Sequence, residues 1–167
     1  SIQTVGLFVN PDDTTLRQTL DHIRLDLLQL HGNETPERVK KIKEKFGLPV
    51  MKALSVTEKS DLQSALKYEP VIDWILFDAK GETLPGGNGI PFDWTILENY
   101  KGSKPWMLAG GLNAHNVSKA ISIAAPYAVD VSSGIEHKPG QKDINKIRSF
   151  LQTCLLYTSD AADDRIC

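Results

Sequence analysis

Six short apolar runs recur along this chain at nearly constant spacing, and that period restricts the fold more than any other feature. The runs are Thr4–Val9, Leu25–Leu30, Pro49–Leu54, Ile72–Phe77, Trp106–Leu108 and Tyr127–Val131, and their ends lie 21, 24, 23, 31 and 23 residues apart. Segments with helical spacing alternate with them: Thr14–Ile23, Pro36–Phe46, Glu58–Tyr68, Phe92–Tyr100, Ala114–Ile123 and Ile144–Leu151. Thr35-Pro36-Glu37 is a cap followed by a first-turn proline, and Gly47 before Pro49 ends that helix and opens the next strand. Asn10-Pro11-Asp12-Asp13 makes a turn before another capped helix. Buried strands flanked by helices imply a parallel sheet with right-handed crossovers.

The expected class is therefore α/β, a parallel (β/α)8 TIM barrel that is incomplete, with six βα units. A complete barrel needs roughly 200 residues, about 25 per unit. An open doubly wound sheet satisfies the same unit count and would place ligands at a topological switch point. No linker or low-complexity stretch divides residues 1–153, which read as one domain. Residues 154–167 change character and hold both cysteines, Cys154 and Cys167. This tail resembles the translation of a sequencing-adapter read-through and is expected not to be native.

Composition narrows the function classes. With 41% hydrophobic and 24% charged residues, the 167-residue chain is ordinary for a globular protein. A net charge of −2 with Lys and Glu interspersed leaves no basic stripe for nucleic acid. No apolar run reaches membrane-spanning length, so the expectation is a cytoplasmic protein with no membrane partner. The first 153 residues lack cysteine, and His22, His115 and His137 have no partner spacing, so no metal site is expected.

Two strand ends near the C-terminus carry glycines: Leu108-Ala109-Gly110-Gly111-Leu112 and Val129-Asp130-Val131-Ser132-Ser133-Gly134. Each breaks from an apolar strand into small residues ahead of a helical pattern. Glycine lets backbone N–H groups approach an anion, and a helix start adds a favourable dipole. Two such turns on consecutive strands would form one phosphate site. Asp78 follows Trp74-Ile75-Leu76-Phe77 at the same edge, where partial desolvation suits a carboxyl to proton donation, although an Asp there can also simply start a turn. The stretch from Gly81 to Gly89 reads either as a loop folding over a ligand or as a surface connection. Gln29 and His31 end the Leu28–Leu30 strand, with Gln29 inward and His31 at the mouth. Lys52 lies within a strand, either a desolvated nucleophile or, as the commoner outcome, one half of an ion pair. Asp130, between two valines, calls for a hydrogen-bonding partner or a substrate hydroxyl. Asp143 is placed to cap the final helix.

Taken in order, Val5–Asn10, Leu28–Gly32, Leu76–Asp78, Gly86–Gly89 with Phe92-Asp93-Trp94, Leu108–Leu112, and Val129–Gly134 with Glu136 resemble the phosphoribosylanthranilate isomerase family over residues 1 to about 152. The resemblance implies a barrel enzyme of tryptophan biosynthesis acting on a phosphorylated small molecule by an Amadori rearrangement, without cofactor or metal. It implies that Asp78 is the general acid at the ring oxygen and that Gly110, Gly111, Ser133 and Gly134 hold the phosphate. It further implies that Asp130 lies near the sugar, and that Gln29 and His31 contact the substrate. The family's Lys-Ile-Cys-Gly-like motif, whose Cys is the base, and an Arg for the anthranilate carboxylate are not in this sequence. The resemblance thus has the chain begin at the third strand, and the polypeptide alone is expected to be inactive. Other readings are a different phosphate-binding barrel enzyme of sugar or indole metabolism, and a non-catalytic module that binds phosphorylated ligands.

Overall fold

The computed structural model describes residues 2–79 and 92–160. Its main sheet has six strands: β1 (Val5–Phe8), β2 (Leu27–Leu30), β3 (Val50–Ser55), β4 (Trp74–Asp78), β5 (Trp106–Ala109) and β6 (Ala128–Val129). They lie in the order β1-β2-β3-β4-β5-β6. The pairs β1/β2, β2/β3 and β5/β6 are parallel, with Leu7 opposite Gln29, Leu30 opposite Lys52 and Leu108 opposite Val129. A doubly wound sheet reverses its strand order at a switch point, and this one does not. The fold class is that of the parallel (β/α)8 barrel, represented by six βα units. The chain divides into two compact units that interleave along the sequence.

The first unit comprises Ser1–Leu54, Gln63–Leu76 and Gly102–Pro105. Every residue of β2 is buried, as expected for a strand covered on both faces, whereas β1 leaves Val5 and Leu7 exposed. Helix α1 (Asp13–His22) starts at Asp12, whose carboxylate accepts the Thr15 N–H at 2.7 Å. Helix α2 (Pro36–Phe46) starts at Thr35, whose hydroxyl accepts the Arg38 N–H, and stops at Gly47 with φ 68°. Leu16 of α1 and Val39 and Ile42 of α2 are fully buried with Leu28, Leu30 and Val50. Asp73, just before β4, accepts the Lys43 ammonium at 2.7 Å and the Val50 N–H at 2.9 Å, tying α2 and β3 to the entry of β4.

The second unit comprises Ser55–Leu62, Phe77–Lys101 and Trp106–Cys167. Phe77 at the end of β4 meets Tyr100 and Trp106 edge-to-face, with ring centroids 4.9 and 5.4 Å apart. Helix α4 (Val117–Ala124) buries Val117, Ala120, Ile121 and Ala124 on one face. A hairpin not expected from the sequence, β7 (Glu136–Lys138) with β8 (Gln141–Lys142), turns at Gly140 and leads into α5 (Ile144–Asp160). Asp143 caps α5, accepting the N–H groups of Asn145 and Lys146. Phe150 and Cys154, one turn apart, are both buried, so the helix runs through the expected boundary at residue 153.

Several boundaries depart from expectation. The segment 92–100 forms a 3-10 helix (Trp94–Asn99) rather than an α-helix, because aromatic and β-branched residues crowd a stretch too short to propagate one. Only Asp61–Leu66 of the expected helix 58–68 is helical (α3): the Asp61 carboxylate accepts the N–H groups of Thr57 and Glu58 and folds them into the preceding turn. Strand β6 is two residues long, although the Asp130 N–H still donates to Leu108 at 2.8 Å. No helix among the described residues is long and apolar enough to cross a membrane.

The contacts at Asp73 generate an acid-sensitivity prediction. Burial pushes its carboxyl up, but the Lys43 ammonium, the Val50 N–H and the charge of Lys104 outweigh this and hold it below the ordinary value. A lowered folded pKa stabilises above the unfolded value and loses that contribution as pH falls through the folded one. Asp73→Asn should therefore be less stable than wild type at pH 7. The gap should narrow below about pH 4, read from urea midpoints across pH 2–7.

Candidate active site

In the second unit the backbones of four strand ends, those of β3 to β6, are tied side by side. Asp78 closes β4 and is only 5% exposed, so it has lost most of its contact with water. Its carbonyl accepts the Val56 N–H at 3.2 Å, the Ala79 N–H donates to Ala109 at 2.9 Å, and the Asp130 N–H donates to Leu108. These bonds bring the end of β4, where the sequence placed an acid, beside the first glycine turn. Asp130, one residue past β6, is exposed.

The glycines explain how closely those ends approach. A Cβ on Gly110 would lie 2.5 Å from the Ala79 carbonyl oxygen, and its φ of 100° is in any case open only to glycine without strain. A Cβ on Gly134 would lie 1.9 Å from the Leu112 carbonyl oxygen, so the two glycine turns touch backbone to backbone. Gly111, at φ 64°, differs: a Cβ there meets nothing within 4 Å. Gly111 and Ser133 are exposed, which leaves this double turn open to a ligand.

Neither turn leads straight into a helix, and α4 starts three residues after its expected first residue, Ala114. Helix α4 starts at Val117, and the side chain of Asn116 donates to the Gly111 carbonyl at 3.0 Å while accepting the Asn113 N–H at 2.8 Å. Residues Ser133–Ile135 make a single 3-10 turn before the hairpin. Anion binding here would rest on turn N–H groups rather than on a helix terminus directly after each glycine. The hairpin braces the second turn: the Lys142 ammonium donates to the Ser132 carbonyl at 3.0 Å and to the Glu136 carboxylate at 2.9 Å. Lys142 thereby holds the Glu136 carboxyl below its usual range. Asn116 and Lys142 escaped sequence reasoning, although an Asn three residues after Asn113 is itself a turn signal.

In the first unit Gln29 is buried and His31 half-buried at the end of β2. Lys52 is not a free nucleophile. It is 1% exposed and paired with Glu34 at 3.1 Å, so the ion-pair reading holds. Burial pushes the Lys52 ammonium below its ordinary value, with Glu34 opposing. For Glu34, burial raises the carboxyl, but N–H donors from its own backbone and Asn10, together with Lys52, bring it below the usual range. Glu34 was missed because choosing the partner of Lys52 needs the strand register. The expected loop from Gly81 to Gly89 lies outside the described residues.

Residues 1–153 match the family model described as PRAI: N-(5'phosphoribosyl)anthranilate (PRA) isomerase. The N-(5'-phosphoribosyl)anthranilate isomerase of Paramagnetospirillum magneticum is 56% identical over 154 residues, covering 90% of this chain and 72% of that protein. That of Paracoccus denitrificans is 51% identical over 153 residues, covering 90% and 71%. The crystal structure of phosphoribosyl anthranilate isomerase from Thermotoga maritima superposes with a TM-score of 0.80 at 36% identity, covering 92% of this chain and 73% of that one. A crystal structure of phosphoribosyl anthranilate isomerase in complex with reduced 1-(o-carboxyphenylamino)-1-deoxyribulose 5-phosphate has a TM-score of 0.78 at 35% identity, covering 92% and 72%.

The two glycine environments should respond differently to a methyl group. No rotamer change relieves a Cβ 1.9 Å from a backbone oxygen, so Gly134→Ala should cost about 3 kcal/mol. Gly111→Ala meets open space and bears only the left-handed backbone penalty of about 1 kcal/mol. Urea unfolding of both variants gives the comparison, and equal losses would contradict the close approach at Gly134.

Proposed function

The chain belongs to the N-(5'-phosphoribosyl)anthranilate isomerase family, and we propose that Asp78 is the acid with which its site opens the sugar ring. The reaction of tryptophan biosynthesis converts N-(5-phosphoribosyl)anthranilate to 1-(2-carboxyphenylamino)-1-deoxyribulose 5-phosphate. Protonation of the furanose oxygen lets its bond to C1 break, with the anthranilate nitrogen lone pair forming the C1 iminium ion. A general base takes the C2 proton to give the enolamine, and tautomerisation gives the amino ketone. C1 is reduced as C2 is oxidised within one molecule, so no external electron carrier is required by the chemistry.

The observation that carries this reading is the juxtaposition of a buried acid with the open double turn. Gly110 lies against Ala79, the residue after Asp78, and Gly134 lies against Leu112. In the proposed arrangement Gly110, Gly111, Ser133 and Gly134 hold the substrate phosphate through backbone N–H groups, with a hydroxyl available from Ser133. Asp130 accepts a hydrogen bond from the sugar. Gln29 and His31 contribute further substrate contacts. Burial of Asp78 removes competing water from the proton it delivers. The protein works in the cytoplasm on a phosphorylated small molecule, with neither nucleic acid nor membrane as partner.

The test uses the full gene product that carries this chain, assayed for conversion of phosphoribosylanthranilate. Asp78→Asn keeps the size of the side chain and removes the acid, and should lower kcat about 10²–10⁴-fold. Near-wild-type turnover would take Asp78 out of the mechanism. Gly111→Ala, which intrudes on the open side of the turn, should raise KM more than it lowers kcat.

A further inference from the structure

Beyond the reacting acid and the phosphate turns, the first unit contains a buried charge network that the reaction chemistry does not use. The Lys52 ammonium donates to the carbonyls of Leu30 at 3.1 Å, Gly32 at 2.8 Å and Ala53 at 2.9 Å, and to the Glu34 carboxylate at 3.1 Å. Three protons facing four acceptors leave no donor capacity spare. Glu34, its side chain also 1% exposed, accepts the Asn10 N–H at 2.7 Å and the Gly32 N–H at 3.0 Å. Its carbonyl accepts the Tyr68 hydroxyl at 2.9 Å, and the Tyr68 ring lies under the Lys52 ammonium at 5.8 Å.

These bonds converge on one short stretch of backbone. His31 stands between Leu30, whose carbonyl is held by Lys52, and Gly32, which is held at both its carbonyl and its N–H. The His31 N–H itself donates to Phe8 at 2.8 Å. The next N–H, of Asn33, is taken by the Asn10 side chain at 2.7 Å, with Asn10 in the left-handed region at φ 47°. A Cβ on Gly32 would sit 2.4 Å from the Asn10 side-chain oxygen. The turn from His31 to Glu34 is therefore set by charged side chains from below and by Asn10 from the side.

Stability alone is a poor reason for such a pair, because an apolar replacement of similar volume commonly serves the fold as well or better. We propose that Lys52 and Glu34 are positioning residues, which fix the backbone on both sides of His31 and so present its imidazole to the substrate. The proposal rests on the reading of His31 as a substrate contact. It adds that the contact depends on an ion pair one layer beneath it. Neither Lys52 nor Glu34 touches the reacting atoms in this scheme.

The double variant Lys52→Met/Glu34→Gln removes both charges without stranding either, and Glu34→Gln alone serves should the double variant fail to fold. Two readouts are taken on the full gene product: amide exchange at Asn10, Gly32 and Asn33, and the kinetics of isomerisation. Amide exchange at these positions should quicken about tenfold or more while the amides of α2 stay unchanged. KM should rise about tenfold with kcat within about twofold. In a His31→Ala background the same double variant should change KM less than twofold, because the residue it positions is gone. Multiplicative losses in that background, or unchanged exchange in the turn, would overturn the proposal. Full activity in His31→Ala would overturn it through the reading of His31. Quickened exchange in the charge-removed variant would then show that the ion pair holds the turn and that only the substrate contact was wrong.

Discussion

Contact between one backbone and another, with no side chain between, governs the edge of the second unit where β4, β5 and β6 end. Gly110 lies against Ala79 and Gly134 against Leu112, each at a distance that excludes even a methyl group. Close approach of this kind brings several N–H groups into one small volume, and it is available only where the chain carries hydrogen in place of Cβ. The acid at the end of β4 shares that edge through the Ala79 to Ala109 hydrogen bond. Position is thus conferred by main chain, which varies less with thermal motion than long polar side chains do.

The first unit solves a related problem by other means. Its rim turn after β2 has one glycine, and its remaining constraints come from an ammonium and a carboxylate withdrawn from water. A buried charge is tolerable when paired and hydrogen-bonded on all sides, and the geometry that satisfies it is then narrow. Lys52 and Glu34 meet this condition, so the turn they hold has few alternative shapes. The hairpin after β6 uses the weaker, exposed form of the same device, with Lys142 between Ser132 and Glu136. Exposure makes that brace more sensitive to salt than the buried pair.

Much of the architecture was legible because local physics and tertiary packing agree. Thr35, Pro36 and Gly47 bound α2 where their capping chemistry says they should, and Asp143 caps α5. The runs at β1 to β5 lie within two residues of their expected ends, since an unbroken apolar run has few other places to go. Disagreement arose where a side chain captured the backbone first. Asp61 draws Thr57 and Glu58 into a turn and shortens α3, and a hairpin forms at Gly140 in a stretch read as a loop, while α5 starts at Ile144 as expected. The roles proposed for Asp78, Asp130, Gln29, His31 and the glycines came from motif and resemblance; the fold itself gives the burial of Asp78 and the exposure of Gly111 and Ser133.

By itself the order of residues determined the alternation of strand and helix, the parallel sheet, the caps, and the presence of an acid and two glycine turns at strand ends. Those follow from periodicity and from conformational preferences that act over a few residues. Tertiary structure decided the rest: that the strands follow one another without a switch, that Glu34 partners Lys52, that Asn116 and Lys142 brace the turns, and that Gly134 rests on Leu112. Each of these joins residues distant in sequence or depends on register. A contact between separate segments leaves no periodic trace in either, because many partners would satisfy the same local chemistry and only the packed chain selects one.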